Sequence, residues 1–171
     1  MPYSTTLYKE QVKNHILSRL HESAKILDVG AGAGTYSHLI REKFKNIDAL
    51  EIFEPYVERF GLKNLYNKIF IGDINKELLY LIDNYDYIIL GDVVEHMGIG
   101  DAQSLLSRIH NLNKMMLVGV PYKYEQDEWE GNVYEKHHQP DLTLEIFLKR
   151  YPYMYLLMGN ENYGYFVNYK F

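Results

Sequence analysis

Lys25-Ile26-Leu27-Asp28-Val29-Gly30-Ala31-Gly32-Ala33-Gly34-Thr35-Tyr36 is the stretch whose reading decides the fold. A short apolar run ends in an aspartate, a loop with glycine at every second position comes next, and an amphipathic helical pattern begins after it. That is a strand, a tight turn and a helix start, the place where α/β sheets hold nucleotide-like ligands. Gly30 permits backbone angles that a Cβ forbids. Gly32 leaves room for a ligand against the main chain, and Gly34 lets the following helix pack close to the strand. Asp28 ends the strand, where its charge can orient the loop or a cationic ligand group. A Gly-rich turn that binds nothing has the same letters, so the weight falls on the residues at fixed distances downstream.

The spacing separates two cofactor classes. A dinucleotide loop reads G-x-G-x-x-G or G-x-G-x-x-A. Here Thr35 stands at the last of those positions, and the third glycine comes one residue early, at Gly34. Asp28-x-Gly30-x-Gly32-x-Gly34 resembles motif I of the class I S-adenosylmethionine-dependent methyltransferases. In that family no pyrophosphate is cradled, and the loop curves around the methionine half of the cofactor. The resemblance assigns Asp28, Gly30, Ala31, Gly32 and Gly34 to the cofactor.

Working outward, residues 6–22 place Leu7, Val12, Ile16, Leu17 and Leu20 near one face, a helix ahead of the first strand. Helices are expected over 36–44 and from Pro55 through Phe60, and strands over 47–53 and 68–71. Glu51 lies seventeen residues after Gly34, near where a Rossmann-type acid meets ribose hydroxyls. Glu54 is its rival; Glu51 is preferred because an acid inside a parallel strand needs a partner. After the third strand, Gly72-Asp73-Ile74 matches a second feature of the family. Asp73 would accept from the adenine amino group and the Ile74 backbone would meet the ring. A turn or cap role for Asp73, before a helix over 76–83, is the alternative.

Tyr85 through Gly91 is a continuous apolar run suited to a central parallel strand. It leads into Asp92-Val93-Val94-Glu95-His96-Met97, which resembles the D-x-x-E-H segment after strand four in this family. There the strand end, here Asp92 and Val93, holds the cofactor's ammonium, while Glu95 and His96 face the acceptor. A helix over 101–112 and a strand over 115–121 come after it. Residues 121–141 are long and polar, begin at the ligand edge of the sheet, and read as acceptor-binding loop and lid. Gly131-Asn132-Val133-Tyr134-Glu135-Lys136-His137 is similar to a stretch of some relatives, and His137 or His138 could point inward. A helix over 144–150, capped by Thr143, precedes strands over 153–158 and 163–171 around Gly159-Asn160-Glu161-Asn162.

The resemblance implies an α/β, three-layer Rossmann-like methyltransferase fold. Its mostly parallel seven-stranded sheet has the order 3-2-1-4-5-7-6 and a C-terminal antiparallel hairpin. One domain over 1–171, with its N-terminal helix within 1–23, is expected from 171 residues that are 47% hydrophobic. No run approaches the ~20 apolar residues of a membrane span. The N-terminus lacks a signal-peptide pattern, and the absence of cysteine excludes disulfide and thiol chemistry. A cytoplasmic monomer or homodimer is the expectation. The net charge of −5 argues against a nucleic-acid partner, although residues 1–45 carry seven Lys/Arg against four Asp/Glu.

The expected reaction is in-line attack of an acceptor on the sulfonium methyl of S-adenosylmethionine, leaving S-adenosylhomocysteine. His96, Glu95 and His138 are the catalytic candidates, His96 first because its reference pKa lies near neutrality. A small-molecule or glycan hydroxyl is the expected acceptor. No residue is assigned to a metal. The alternative is a metal-assisted O-methyltransferase, the RNA 2′-O type included. Asp92, Glu95 and His96, at i, i+3 and i+4, would then converge with a histidine of 137–138. A non-catalytic S-adenosylmethionine-binding protein is the other rival.

Overall fold

A computed structural model describes residues 4–76 and 79–170. The elements run α1 (Lys9–Arg19), β1 (Ile26–Val29), α2 (Thr35–Ile40), β2 (Ile47–Glu51), α3 (Pro55–Arg59), β3 (Ile69–Ile71) and β4 (Tyr87–Gly91), then α4 (Ile99–Asn111), β5 (Met115–Pro121), α5 (Leu144–Arg150), β6 (Tyr155–Gly159) and β7 (Tyr163–Val167). The sheet has seven strands in the order β3-β2-β1-β4-β5-β7-β6, as the sequence reading expects. Among the described residues, no helix is long and apolar enough to cross a membrane. Tertiary contacts divide the chain into two compact units, between Ile89 and Leu90 within β4.

In the first unit β1 pairs in parallel with β2, Ile26 opposite Ile47, and with β4, Ile26 opposite Tyr87. Every residue of β1 is buried, which is why its run is apolar without alternation. β3 pairs only with β2 among the described strands and leaves Ile71 exposed. Several boundaries fall short of the sequence reading for local reasons. α1 begins at Lys9 because Tyr8 holds φ 57°, outside the helical region. β2 stops at Glu51 because the Phe53 N–H turns back to Glu51 Oε1 at 2.9 Å and leaves the ladder. In place of a helix over 76–83 there is a turn at Asp73 and a 3₁₀ helix over Leu79–Asn84. The remainder of that expected helix falls partly on residues 77 and 78, outside the described residues.

In the second unit the hairpin is antiparallel, with Gly119 opposite Tyr165 in β5–β7 and Gly159 opposite Gly164 in β6–β7. α4 buries Ala102, Leu105, Leu106 and Ile109, an i, i+3, i+4, i+7 stripe. Each buried leucine or isoleucine there contributes about 1.5–3 kcal/mol. Thr143 caps α5 through its hydroxyl, which accepts from the Ile146 N–H at 3.2 Å. Residues 122–141 form no strand of the sheet but are held in place by hydrogen bonds. They contain a 3₁₀ turn over Val133–Glu135, whose cap Asn132 accepts from the Tyr134 N–H.

Candidate functional site

Gly30, Gly32 and Gly34 all hold positive φ, at 67°, 50° and 75°. The alternation of glycine is therefore a backbone requirement. Gly34 also answers a packing need: a Cβ there would lie 2.4 Å from Leu65 Cδ1. The close approach relieved by Gly34 is thus to Leu65, not to the strand.

Two buried carboxylates support this loop. Glu51 Oε2 accepts from the Gly32 N–H at 2.9 Å while Oε1 accepts from Phe53, so the strand-two acid fixes the loop's shape. Asp28 is 1% exposed, and its Oδ2 accepts from the Tyr66 hydroxyl at 2.5 Å. Burial pushes its pKa up to about 7, against the pull of the Tyr66 hydrogen bond and the Lys9 charge. The full charge expected of Asp28 is therefore partly lost at neutral pH. Asp73 sits in its own turn, where Oδ1 accepts from the Asn75 N–H at 2.9 Å and Oδ2 lies 3.3 Å from Lys76 Nζ. Ile74 is buried beside it.

In the second unit, Asp92 directly follows β4, holds φ 58° and donates its N–H to Gly119 O at 2.9 Å. Aspartate tolerates this left-handed region better than most residues. Its Oδ1 accepts from the Tyr163 hydroxyl at 2.9 Å. The chain then makes a 3₁₀ turn over Val94–His96, preceded by Val93.

Glu95, His96 and His137 come together past that turn, with their ligand atoms all within 4.8 Å of one another. Glu95 is 1% exposed, and its Oε2 has no hydrogen-bond partner among the described residues. Burial, and then the charge of Asp92, drive its carboxyl well above the usual range. The His96 and His137 rings meet edge to face, centroids 4.6 Å apart. His137 Nδ1 lies 2.8 Å from Tyr124 O, and His96 Nδ1 lies 3.3 Å from Lys136 O. A carbonyl can only accept, so both Nδ1 atoms carry the proton and each Nε2 keeps a lone pair. Burial, then the neighbouring His137, lower the His96 pKa to about 4, and burial lowers that of His137. Of the two adjacent histidines, His137 joins this cluster. His138 is exposed and uses its backbone N–H to reach Glu95 O at 2.8 Å.

Three supporting residues escaped the sequence reading. Gln139 is 1% exposed, and its amide donates to Val94 O at 2.8 Å and Met97 O at 3.2 Å. Its own oxygen accepts from Arg150 and from the Tyr151 hydroxyl. It therefore clasps the turn bearing Glu95 and His96 from the loop bearing His137. Tyr66 and Tyr163 are the others. A single glutamine or tyrosine in an aperiodic segment leaves no pattern to read.

Likeness to known proteins settles the family. Among solved structures, the methyltransferase domain of bacterial CtHen1-C is 17% identical, with a TM-score of 0.64 over 93% of this chain and 94% of that one. An S-adenosylmethionine-dependent methyltransferase from Clostridium acetobutylicum is 13% identical, with a TM-score of 0.63 over 94% and 89%. The Burkholderia thailandensis 1,6-didemethyltoxoflavin-N1-methyltransferase, with 1,6-didemethyltoxoflavin and S-adenosylhomocysteine bound, is 14% identical, with a TM-score of 0.60 over 94% and 77%. At these identities the likeness establishes the fold. Comparison with curated proteins finds no significant match. Residues 6–140 match the family described as Methyltransferase domain. The chain belongs to that family and is an enzyme of the class I S-adenosylmethionine-dependent methyltransferases.

Proposed function

We propose that this methyltransferase uses S-adenosylmethionine to methylate a hydroxyl of a small-molecule or glycan acceptor presented to Glu95, His96 and His137. The observation that carries the reading is the convergence of these three side chains, with both imidazole Nε2 lone pairs uncommitted to the backbone. The glycine loop fits the cofactor: three glycines hold the positive φ that its tight turn needs, Glu51 accepts from the Gly32 N–H, and the buried Asp28 lies at the loop's start.

When bound, the cofactor supplies a methyl group on a sulfonium that departs as a neutral thioether. The chain's own residues align the acceptor and receive its proton. Alignment alone can account for ~7–11 kcal/mol of barrier. His96 Nε2 would hold the acceptor O–H and take its proton as the oxygen is methylated. Burial of Glu95 favours its neutral form, in which it donates a hydrogen bond to the acceptor oxygen. Residues 121–141 hold six Asp/Glu against two Lys, which favours an uncharged or cationic acceptor over a polyanion.

A second reading rests on the same cluster. One carboxylate oxygen and two imidazole nitrogens within 4.8 Å of one another are a mixed oxygen/nitrogen donor set for a divalent cation. Glu95 Oε2, buried without a hydrogen-bond partner among the described residues, fits such an ion. The cation would polarise an acceptor hydroxyl and lower its pKa, with Glu95, His96 and His137 holding it.

Labelled S-adenosylmethionine offered with pools of metabolites, glycans and RNA tests both readings. Label in a neutral or cationic metabolite or a glycan supports the first. Label in RNA alone overturns the acceptor assignment. Activity lost to chelator and restored by a divalent ion selects the second reading, and indifference to chelator removes it.

A further inference from the structure

Within the loop between β5 and α5 lies a hairpin whose base runs along the Glu95, His96 and His137 group. At its tip Trp129 and Asn132 exchange both backbone hydrogen bonds, at 3.2 and 2.8 Å, and Glu130 and Gly131 between them hold positive φ of 47° and 79°. Positive φ at both central residues suits a two-residue hairpin turn. At the base the His137 N–H donates to Gln126 O at 2.9 Å, and the Gln126 amide donates to Glu135 O at 2.7 Å. Next to this base stands Tyr124, whose ring meets the His137 ring edge to face with centroids 5.4 Å apart. Tyr124 is 46% exposed. The His96–His137 pair thus gains a third ring on its solvent side, set in place before any ligand arrives. At the buried end of the same group, Glu95 Oε2 has no hydrogen-bond partner among the described residues.

The charges around the ring are one-sided. Both lysines of the loop are engaged by acids: Lys136 Nζ lies 3.6 Å from Asp127, and the Lys123 charge bears on Glu145 of α5. Glu125, next to Tyr124, and Glu128 are exposed and have no ion pair among the described residues. An open tyrosine face attracts an ammonium, and carboxylates without a counter-charge raise the local concentration of cations.

We infer that Tyr124 receives an ammonium group of the acceptor in a cation–π contact, so that the acceptor is an amine whose methylated hydroxyl lies one ring further in, as in an amino sugar or another amino alcohol. This deepens the reading of the site as one that methylates a hydroxyl, and it rests on that reading. It makes Tyr124 a specificity-determining residue. A tyrosine whose only task is to steady His137 would not distinguish a cation from a neutral molecule.

Saturation-transfer NMR tests the ring directly, with tetramethylammonium as the cation and tert-butanol as its neutral counterpart. Transfer to tetramethylammonium should exceed transfer to tert-butanol, weaken as salt screens the carboxylates, fall in Tyr124→Leu and persist in Tyr124→Trp. Equal transfer to the two probes, or transfer that Tyr124→Leu leaves unchanged, overturns the assignment. The acceptor itself is read by offering trideuteriomethyl S-adenosylmethionine with metabolite and glycan pools and identifying the product by mass. A product that migrates as a cation at about pH 7, with the methyl on oxygen, is expected. For that acceptor, Tyr124→Leu should raise KM roughly two- to thirtyfold, the range of a cation–π contact, with kcat unchanged. A lower kcat at unchanged KM, the mark of a ring that only steadies His137, overturns the role of Tyr124. A neutral or anionic product, or a methyl on the nitrogen, overturns the amine assignment while methyl transfer stands. No labelled product from any pool overturns the methyl-transfer reading, and this assignment with it.

Discussion

The hydroxyl of Tyr163, the first residue of β7, donates to Asp92 Oδ1 at 2.9 Å. Asp92 is one of the few residues other than glycine with positive φ among the described residues, and it opens the segment that leads to Glu95. A strand at the far end of the sequence thus fixes the side chain that begins the D-x-x-E-H turn. Gly119 makes this possible, since a Cβ on it would lie 2.6 Å from the Tyr163 hydroxyl.

Tyr163→Phe keeps the ring and removes the donor. Asp92 loses one hydrogen bond in a partly buried setting, which costs about 1–3 kcal/mol. Cofactor affinity is expected to fall roughly tenfold, by the same conversion, with a smaller drop in melting temperature. Titration with S-adenosylhomocysteine measures it, and unchanged affinity contradicts a positioning role for Tyr163.

Gln139 is expected to be the most sensitive supporting position. Gln139→Ala leaves the Val94 and Met97 carbonyls without their donor and opens a void beneath the turn. A loss of about 2–4 kcal/mol is expected from the unpaired groups and the cavity. Denaturant unfolding gives the number. Gln139→Glu, nearly isosteric but unable to donate when ionised, separates the hydrogen bonds from the volume.

The raised pKa of Asp28 sets a pH dependence. A carboxyl whose folded pKa lies above its unfolded value stabilises the fold when protonated. Its contribution is complete below about 4 and is lost as pH rises through about 7. Asp28→Asn keeps an acceptor for Tyr66 and cannot ionise. The variant should therefore gain stability relative to the parent as pH rises from 4 to 8. Parallel melting-temperature profiles across that range would refute the shift.

The metal-assisted reading makes its own demand. His137→Asn should weaken binding of manganese(II) at least tenfold, the typical cost of losing a ligand-shell group. His138→Asn should leave it unchanged, because its ring is outside the Glu95, His96 and His137 group. Calorimetry with the metal alone distinguishes the two, and equal effects would count against the cluster as a cation site.

The sequence by itself determined the features that depend on local periodicity and on backbone freedom. The buried run before Asp28, the glycine alternation and the closing hairpin obey rules that act over a few residues. They carried the resemblance to the family, and that resemblance in turn implied the strand order. The tertiary structure alone decided the partners of the polar side chains. It paired Asp28 with Tyr66, Glu51 with Gly32 and Asp92 with Tyr163, residues 38, 19 and 71 positions apart. It also chose His137 over His138, because Tyr124 O and Gln126 O hold His137 from an adjacent segment while the His138 N–H is drawn to Glu95 O. Hydrogen bonds across such separations are set by packing and by the need to satisfy buried polar groups, which no spacing within the chain encodes.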